Sequence, residues 1–208
     1  MVLRGNVLLL LDCRKNIKEH KGESNMSKKS IHGMTKGTSL EKMTSMLAQA
    51  EAKGVMMYYA LARLAEEQGL ADAAEKFIEA AHQEADHAGF YAVLSGMYPK
   101  DFWTLVHGLQ KAESSAETSL KKLADRFREQ GLAEAAEQVD VFAEQEAHHG
   151  VLLQELLDRY QQNIDTSGKK IYVCGMCGYE YVGDIDSEPD GFVCPVCGQP
   201  KKVFRPAD

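Results

Sequence analysis

Residues 50–87 read AEAKGVMMYYALARLAEEQGLADAAEKFIEAAHQEADH, and residues 112–149 read AESSAETSLKKLADRFREQGLAEAAEQVDVFAEQEAHH. A shift of 62 positions lays one on the other without a gap and with 17 identities in 38. Shared alanines could arise from composition. The turn Glu67-Gln68-Gly69-Leu70-Ala71 matched by Glu129-Gln130-Gly131-Leu132-Ala133, and the matched ionisable residues, could not easily do so. Around the first copy, apolar residues recur at spacings of three and four (Leu40, Met43, Met46, Leu47, Ala50, then Met57, Leu61, Leu64), which is one face of a helix. Thr38 or Ser39 is the expected N-cap and Gly69 the stop. Each copy therefore predicts a helical hairpin, with helix A over about Leu40–Gln68, B over Ala71–Leu94, C over Phe102–Gln130 and D over Ala133–Gln162. All five prolines lie after residue 98, and none falls in 100–188, so long helices are permitted in both copies. The expected architecture is an all-α four-helix bundle, residues 39–163, followed after a linker at 164–168 by a small β domain at 169–208.

The repeat preserves Glu51 as Glu113, Glu84 as Glu146 and His87 as His149, with 33 residues from the first Glu to the second in both copies. Residues three apart share a helix face, so each Glu-x-x-His can aim a carboxylate and an imidazole inward while the preceding helix adds one more carboxylate. Four Glu and two His form the ligand set of di-iron or di-manganese carboxylate bundles. Two metal ions about 3.5 to 4 Å apart need bridging groups, and a carboxylate has two oxygens to offer; Glu84 and Glu146 are the expected bridges. Without metal, four buried carboxylates would repel and be costly to ionise. The competing reading of each Glu alone is a solvated face of an acidic bundle, since Glu is rarely fully buried. The paired spacing outweighs it.

Four of the five cysteines fall in Cys174-Gly-Met-Cys177 and Cys194-Pro-Val-Cys197, two knuckles separated by 16 residues. Forty residues hold little core, and domains of that size need a staple. Four thiolates suit zinc or iron, so a zinc ribbon is the alternative. Tyr179 and Tyr181 after the first knuckle, Pro195 within the second and the acidic loop between them resemble the one-iron rubredoxin pattern.

The 208-residue chain carries 24 Lys plus Arg against 31 Asp plus Glu. Its net charge of -7 argues against nucleic acid as a partner. Residues 1–36 run the other way, with eight basic and three acidic side chains, and residues 1–38 read as a disordered basic tail. Met26 is a plausible alternative start, so residues 1–25 could be absent from the translated protein. The apolar run Val7–Leu11 is far too short to span a bilayer, which takes about 20 residues. No membrane association is expected, and reduced thiolates with an acidic surface favour the cytoplasm.

A carboxylate–histidine bundle followed by a rubredoxin-like module resembles rubrerythrin, over about residues 39–208. The resemblance implies a ferritin-like di-iron bundle and a non-haem peroxidase active in oxidative-stress defence. Electrons would enter at one iron held by Cys174, Cys177, Cys194 and Cys197, pass to the di-iron site and reduce hydrogen peroxide to water. It also implies that Glu51, Glu84, His87, Glu113, Glu146 and His149 are the bundle ligands, and it matches Tyr58 to a tyrosine near that site. The implied partners are hydrogen peroxide and an electron-donor protein or NAD(P)H-dependent reductase. Rubrerythrins typically place a further Glu three residues after the first ligand of helix C, where this chain has Ala116. Glu117 lies about 100° further round and could replace it only if the helix is distorted, for example by a π-bulge. If helices B and C run parallel, as in ferritin-like bundles, the link near residues 96–101 must travel back about 34 Å at 1.5 Å per helical residue, yet it reaches about 20 Å. A domain-swapped homodimer is therefore expected, with an up-down-up-down monomer as the alternative. The competing functions are a ferroxidase or iron-handling bundle, which needs no attached electron carrier, and a scaffold with a structural zinc ribbon.

Overall fold

The computed structural model describes residues 30–160, 162 and 164–207; most of the expected tail, with Met26, lies outside the described residues. Four helices follow one another: α1 (Glu41–Glu67), α2 (Ala71–Ser95), α3 (Phe102–Glu129) and α4 (Ala133–Arg159). A small antiparallel sheet comes last, from β1 (Ile171–Cys174), β2 (Glu180–Val182) and β3 (Phe204–Pro206), in the order β2-β1-β3. The turns of both copies form as expected. Gly69 and Gly131 take φ of +73° and +75°, the left-handed conformation glycine adopts without penalty. Beyond them Leu70 N–H donates to Ala65 O (2.8 Å) and Leu132 N–H to Phe127 O (2.9 Å), closing each helix end. α4 stops at Arg159, short of the expected Gln162.

The repeat extends to the packing. Ala62, Ala65 and Ala74 are buried with Phe77 and Ile78 in the first hairpin; Ala124, Ala136 and Val139 are buried with Leu120 and Phe127 in the second. Ala81 and Ala143, equivalent under the 62-residue shift, are both fully buried. Small side chains on these faces let the paired helices approach closely. In the second hairpin the approach is tightest at Gly150, where a Cβ would stand 2.5 Å from Ser114 Oγ and 3.2 Å from its Cα.

Packing runs within hairpins, α1 on α2 and α3 on α4, and contact between hairpins is slight; the Arg63 guanidinium of α1, for instance, lies 5.9 Å from the Phe142 ring of α4. The apolar face the sequence marks on α1 stays open in a single chain, with Met43, Met46, Met57 and Leu64 all 51–60% exposed.

Residues 31–38, assigned to the tail by composition, are instead an ordered cap on the end of α2. The last carbonyls of a helix lack intrahelical donors, and here Gly33 N–H reaches Val93 O (2.9 Å) and Thr35 N–H reaches Leu94 O (3.3 Å). Thr35 and Thr44, both buried, join their hydroxyls at 2.9 Å and tie this cap to the start of α1. Thr38 takes the Leu40 N–H on its hydroxyl, partly as an N-cap would, although the capping residue itself is Leu40. At the other end of the 96–101 link, Asp101 caps α3 by accepting from Thr104 N–H (3.3 Å) and Thr104 Oγ1 (2.7 Å).

Candidate metal centres

Each hairpin gathers one carboxylate from its first helix and a Glu-x-x-His pair from its second. In the first, His87 Nδ1 lies 3.5 Å from Glu84 Oε2 and 3.9 Å from Glu51 Oε2. In the second, His149 Nδ1 lies 3.3 Å from Glu146 Oε2 and 3.4 Å from Glu113 Oε2. Within each triad the ligand atoms lie inside 4.8 Å of one another. The two triads are equivalent under the repeat shift and sit on separate hairpins, so one chain carries two three-residue ligand sets.

The protonation pattern fits a site built for cations. Burial is the main cause that pushes Glu113 up to about 7, reinforced by its hydrogen bond with Glu146 and repulsion from it. Glu146 is held below the usual carboxylate range, first by that same hydrogen bond. Two adjacent carboxylates do not both ionise readily, so ionising Glu113 beside Glu146 is disfavoured. Glu51 is likewise raised, first by its hydrogen bond with Glu84. A bound cation would relieve the repulsion between the carboxylates of each pair.

The four cysteines converge from two loops of like geometry. Gly178 N–H donates to Cys174 O and Gly198 N–H to Cys194 O, both at 2.9 Å, with φ of +76° and +70° at the two glycines. Sγ separations are 3.6 Å for Cys174–Cys197 and 3.5 Å for Cys177–Cys194. A disulfide needs about 2.05 Å, whereas a tetrahedron with metal–sulfur bonds of about 2.3 Å has edges of about 3.8 Å. The set therefore fits one tetrahedral ion. Burial pushes Cys194 up to about 11 and Cys177 higher still. At Cys174 burial acts the same way, but hydrogen bonds from the Cys177 and Met176 N–H groups and with the Cys197 and Cys177 thiols together outweigh it and hold the thiol below its ordinary value.

Glu117 stands apart from these clusters. α3 is regular α-helix throughout, with no π-bulge to turn Glu117 inward. Glu117 pairs with Lys121 one turn on and is absent from the ligand cluster. Tyr58 stacks on Phe77 with ring centroids 6.4 Å apart, inside the first hairpin. Conversely, spacing alone did not mark Gly54, against which Glu84 packs. It stands three residues after Glu51 and in register with Ala116, so both copies keep that position small.

No family model matches the chain. It is 35% identical over 128 residues to an uncharacterised protein of Methanocaldococcus jannaschii, covering 62% of this chain and 91% of the relative. Over 131 residues it is 31% identical to reverse rubrerythrin-1 of Clostridium acetobutylicum, covering 62% of this chain and 72% of that protein. The chain belongs to the rubrerythrin family. A putative rubrerythrin of M. jannaschii is 25% identical over 172 residues, or 71% of this chain and 82% of the relative. An alignment with nigerythrin in its mixed-valence state spans 89% of this chain and 96% of that one, at 21% identity and a TM-score of 0.29. As a rubrerythrin-family protein the chain combines two carboxylate–histidine sets with a rubredoxin-like tetracysteine site. Among the described residues, no helix is long and apolar enough to cross a membrane.

Proposed function

We propose that this rubrerythrin-family chain is a non-haem peroxidase that reduces hydrogen peroxide to water in oxidative-stress defence. The observation that carries the reading is the joining, in one chain, of six carboxylate and imidazole ligands to a tetracysteine site suited to one-electron traffic. A ferroxidase has no use for such a carrier, and that favours the reductase over iron handling. Iron is the metal proposed at both centres. A bound iron pair would supply two-electron reduction of the O–O bond. Glu51, Glu84, Glu113 and Glu146 would hold the pair and offset its charge, while His87 and His149 would contribute neutral nitrogen. Electrons would come from a donor protein or an NAD(P)H-dependent reductase, in the cytoplasm.

The complete six-ligand site would form between two copies, α1 and α2 of one chain closing on α3 and α4 of the other. Three features support this: the ligands divide three and three between hairpins, the hairpins scarcely touch within the chain, and the apolar face of α1 is open. Co-expression of a Glu51→Gln/Glu84→Gln chain with a Glu113→Gln/Glu146→Gln chain separates the arrangements. A swapped heterodimer regains one intact site and its iron pair; a cis-assembled bundle regains none.

The activity is tested by anaerobic peroxide consumption with a chemical reductant. The iron-loaded protein is expected to consume peroxide, and Glu84→Gln and Glu146→Gln to lose that activity. Iron mineralisation without peroxide turnover would favour the ferroxidase, and a colourless zinc-loaded protein the scaffold.

A further inference from the structure

α3 serves two neighbours. Leu105, Gly108, Ala112 and Ser115 recur on one face at spacings of three and four, and the cysteine module docks there. Ala112 lies in the same buried cluster as Cys174, Tyr179 and Cys194, and the Tyr179 ring rests on the bare backbone of Gly108. Gln110 and Ser114 belong to another face, where Ser114 packs on α4. Gln110 Nε2 donates to Ser114 Oγ at 3.0 Å, and that same Oγ would stand 2.5 Å from a Cβ placed on Gly150. Ser114 directly follows the ligand Glu113, and Gly150 directly follows the ligand His149. The Gln110 amide therefore holds the hydroxyl that sits between the two helices at the level of their ligands.

Stability does not explain Gln110. It is 8% exposed and its Oε1 makes no hydrogen bond, which costs free energy relative to an apolar side chain in the same place. Carried to positions 110, 114 and 150, the 62-residue shift lands on Ala48, Ala52 and Ala88, and Ala48 is buried as deeply, at 4% exposed. The first hairpin thus packs with no polar side chain at any of the three. Its ligands also stand further apart: His87 Nδ1 lies 3.5 and 3.9 Å from its two carboxylates, His149 Nδ1 3.3 and 3.4 Å from its own. We propose that Gln110 and Ser114 are positioning residues that clamp Glu113, Glu146 and His149 together, so that a divalent metal ion binds this set before it binds Glu51, Glu84 and His87. The inference rests on the metal-centre reading given above. Both sets offer two carboxylates and one imidazole, so charge does not separate them. Groups behind the ligands do, because ligands already held near their bound positions lose less freedom when the ion arrives. Each chain accordingly takes its first ion on α3 and α4 and its second on α1 and α2.

Manganese(II) titration, read from the electron paramagnetic resonance of the free ion, tests this in the full-length protein with its cysteine site filled and its carboxylate sites emptied. Glu51→Gln/Glu84→Gln leaves only the second ligand set intact, and Glu113→Gln/Glu146→Gln only the first. The second set is expected to bind manganese about tenfold or more tightly than the first. Gln110→Met keeps the helix propensity of Gln and removes both polar atoms. Added to the chain with the intact second set, it should bring that set down to the affinity of the first without lowering the melting temperature of the metal-free protein. Ser114→Ala, which installs the first hairpin's residue, should weaken the second set in the same way. Equal affinities of the two sets, or a difference that survives Gln110→Met, would refute the clamp. A loss of affinity that comes with a lower melting temperature would refute the positioning role, since Gln110 would then be holding the helix pair together. If neither set binds manganese, the metal-centre reading fails and the clamp with it.

Discussion

Glu84 packs against Gly54: a Cβ placed on Gly54 would lie 3.4 Å from both Cγ and Cδ of the Glu84 side chain. The carboxylate of the Glu-x-x-His motif thus occupies space left by a small residue on the preceding helix. Ala116 holds the corresponding place in the second copy, so neither copy carries a long side chain there. Gly54→Ala should be tolerated, because 3.4 Å is ordinary contact, and should raise helix stability by up to about 1 kcal/mol. Gly54→Leu should displace Glu84 and lower bound iron, measured by metal analysis of the purified variant. Full iron content in Gly54→Leu would contradict this reading.

Gly150 carries the opposite sign. A methyl there meets Ser114 Cα and N at 3.2 Å, and these are backbone atoms that cannot turn aside. Gly150→Ala should therefore destabilise the second hairpin by about 1–3 kcal/mol through overpacking, despite its gain in helix propensity. Thermal unfolding of the metal-free variant, compared with Gly54→Ala, checks the contrast.

Metal removal should act on the two domains differently. The buried members of the module's core are Cys174, Tyr179, Ile185, Cys194 and Phe204, with Ala112 of α3, too few to order some forty residues without a staple. Chelation should abolish the sheet signals of β1 to β3 in amide exchange, while the helical circular dichroism from α1 to α4 persists. Retention of a protected sheet in the metal-free protein would show that the fold does not depend on the ion.

Acid should loosen the docked module. His107, on α3, has a largely buried side chain whose Nε2 makes no hydrogen bond and lies 3.7 Å from Glu180 Oε2. Burial first, and Lys111 second, hold its pKa below the ordinary 6.5, against the opposing pull of Glu180. The released state accepts the proton more readily, so docking is fully supported above pH 6.5 and weakens as pH falls below it. Protease cleavage of the linker should accelerate between pH 7.5 and 5.5 in the wild type and lose that dependence in His107→Gln.

Much of the metal chemistry was legible in the chain because it is written locally. Glu84 to His87 is one helical turn, Cys174 to Cys177 is one loop, and Gly69 ends its helix by its own conformational freedom. Periodicity marked Met43, Met46, Met57 and Leu64 as one apolar face, but it cannot say what covers that face, and within a single chain nothing of substance does. Composition likewise assigned residues 31–38 to a tail, because the need they meet, donors for Val93 O and Leu94 O, arises about sixty residues further on. The packing of Gly108 on Tyr179 is equally non-local. Neither residue carries a motif that announces the other, and only the folded chain brings them together.

On the proposed function, electrons held at Cys174, Cys177, Cys194 and Cys197 are spent on peroxide at the site held by Glu51, Glu84, His87, Glu113, Glu146 and His149. Stopped-flow absorbance of the fully reduced, iron-loaded protein mixed anaerobically with one equivalent of peroxide measures this directly. Rapid return of the oxidised one-iron band is expected in the wild type, and its loss in Glu84→Gln and Glu146→Gln. A one-iron site that stays reduced in the wild type, or that reoxidises equally fast in both variants, would contradict it.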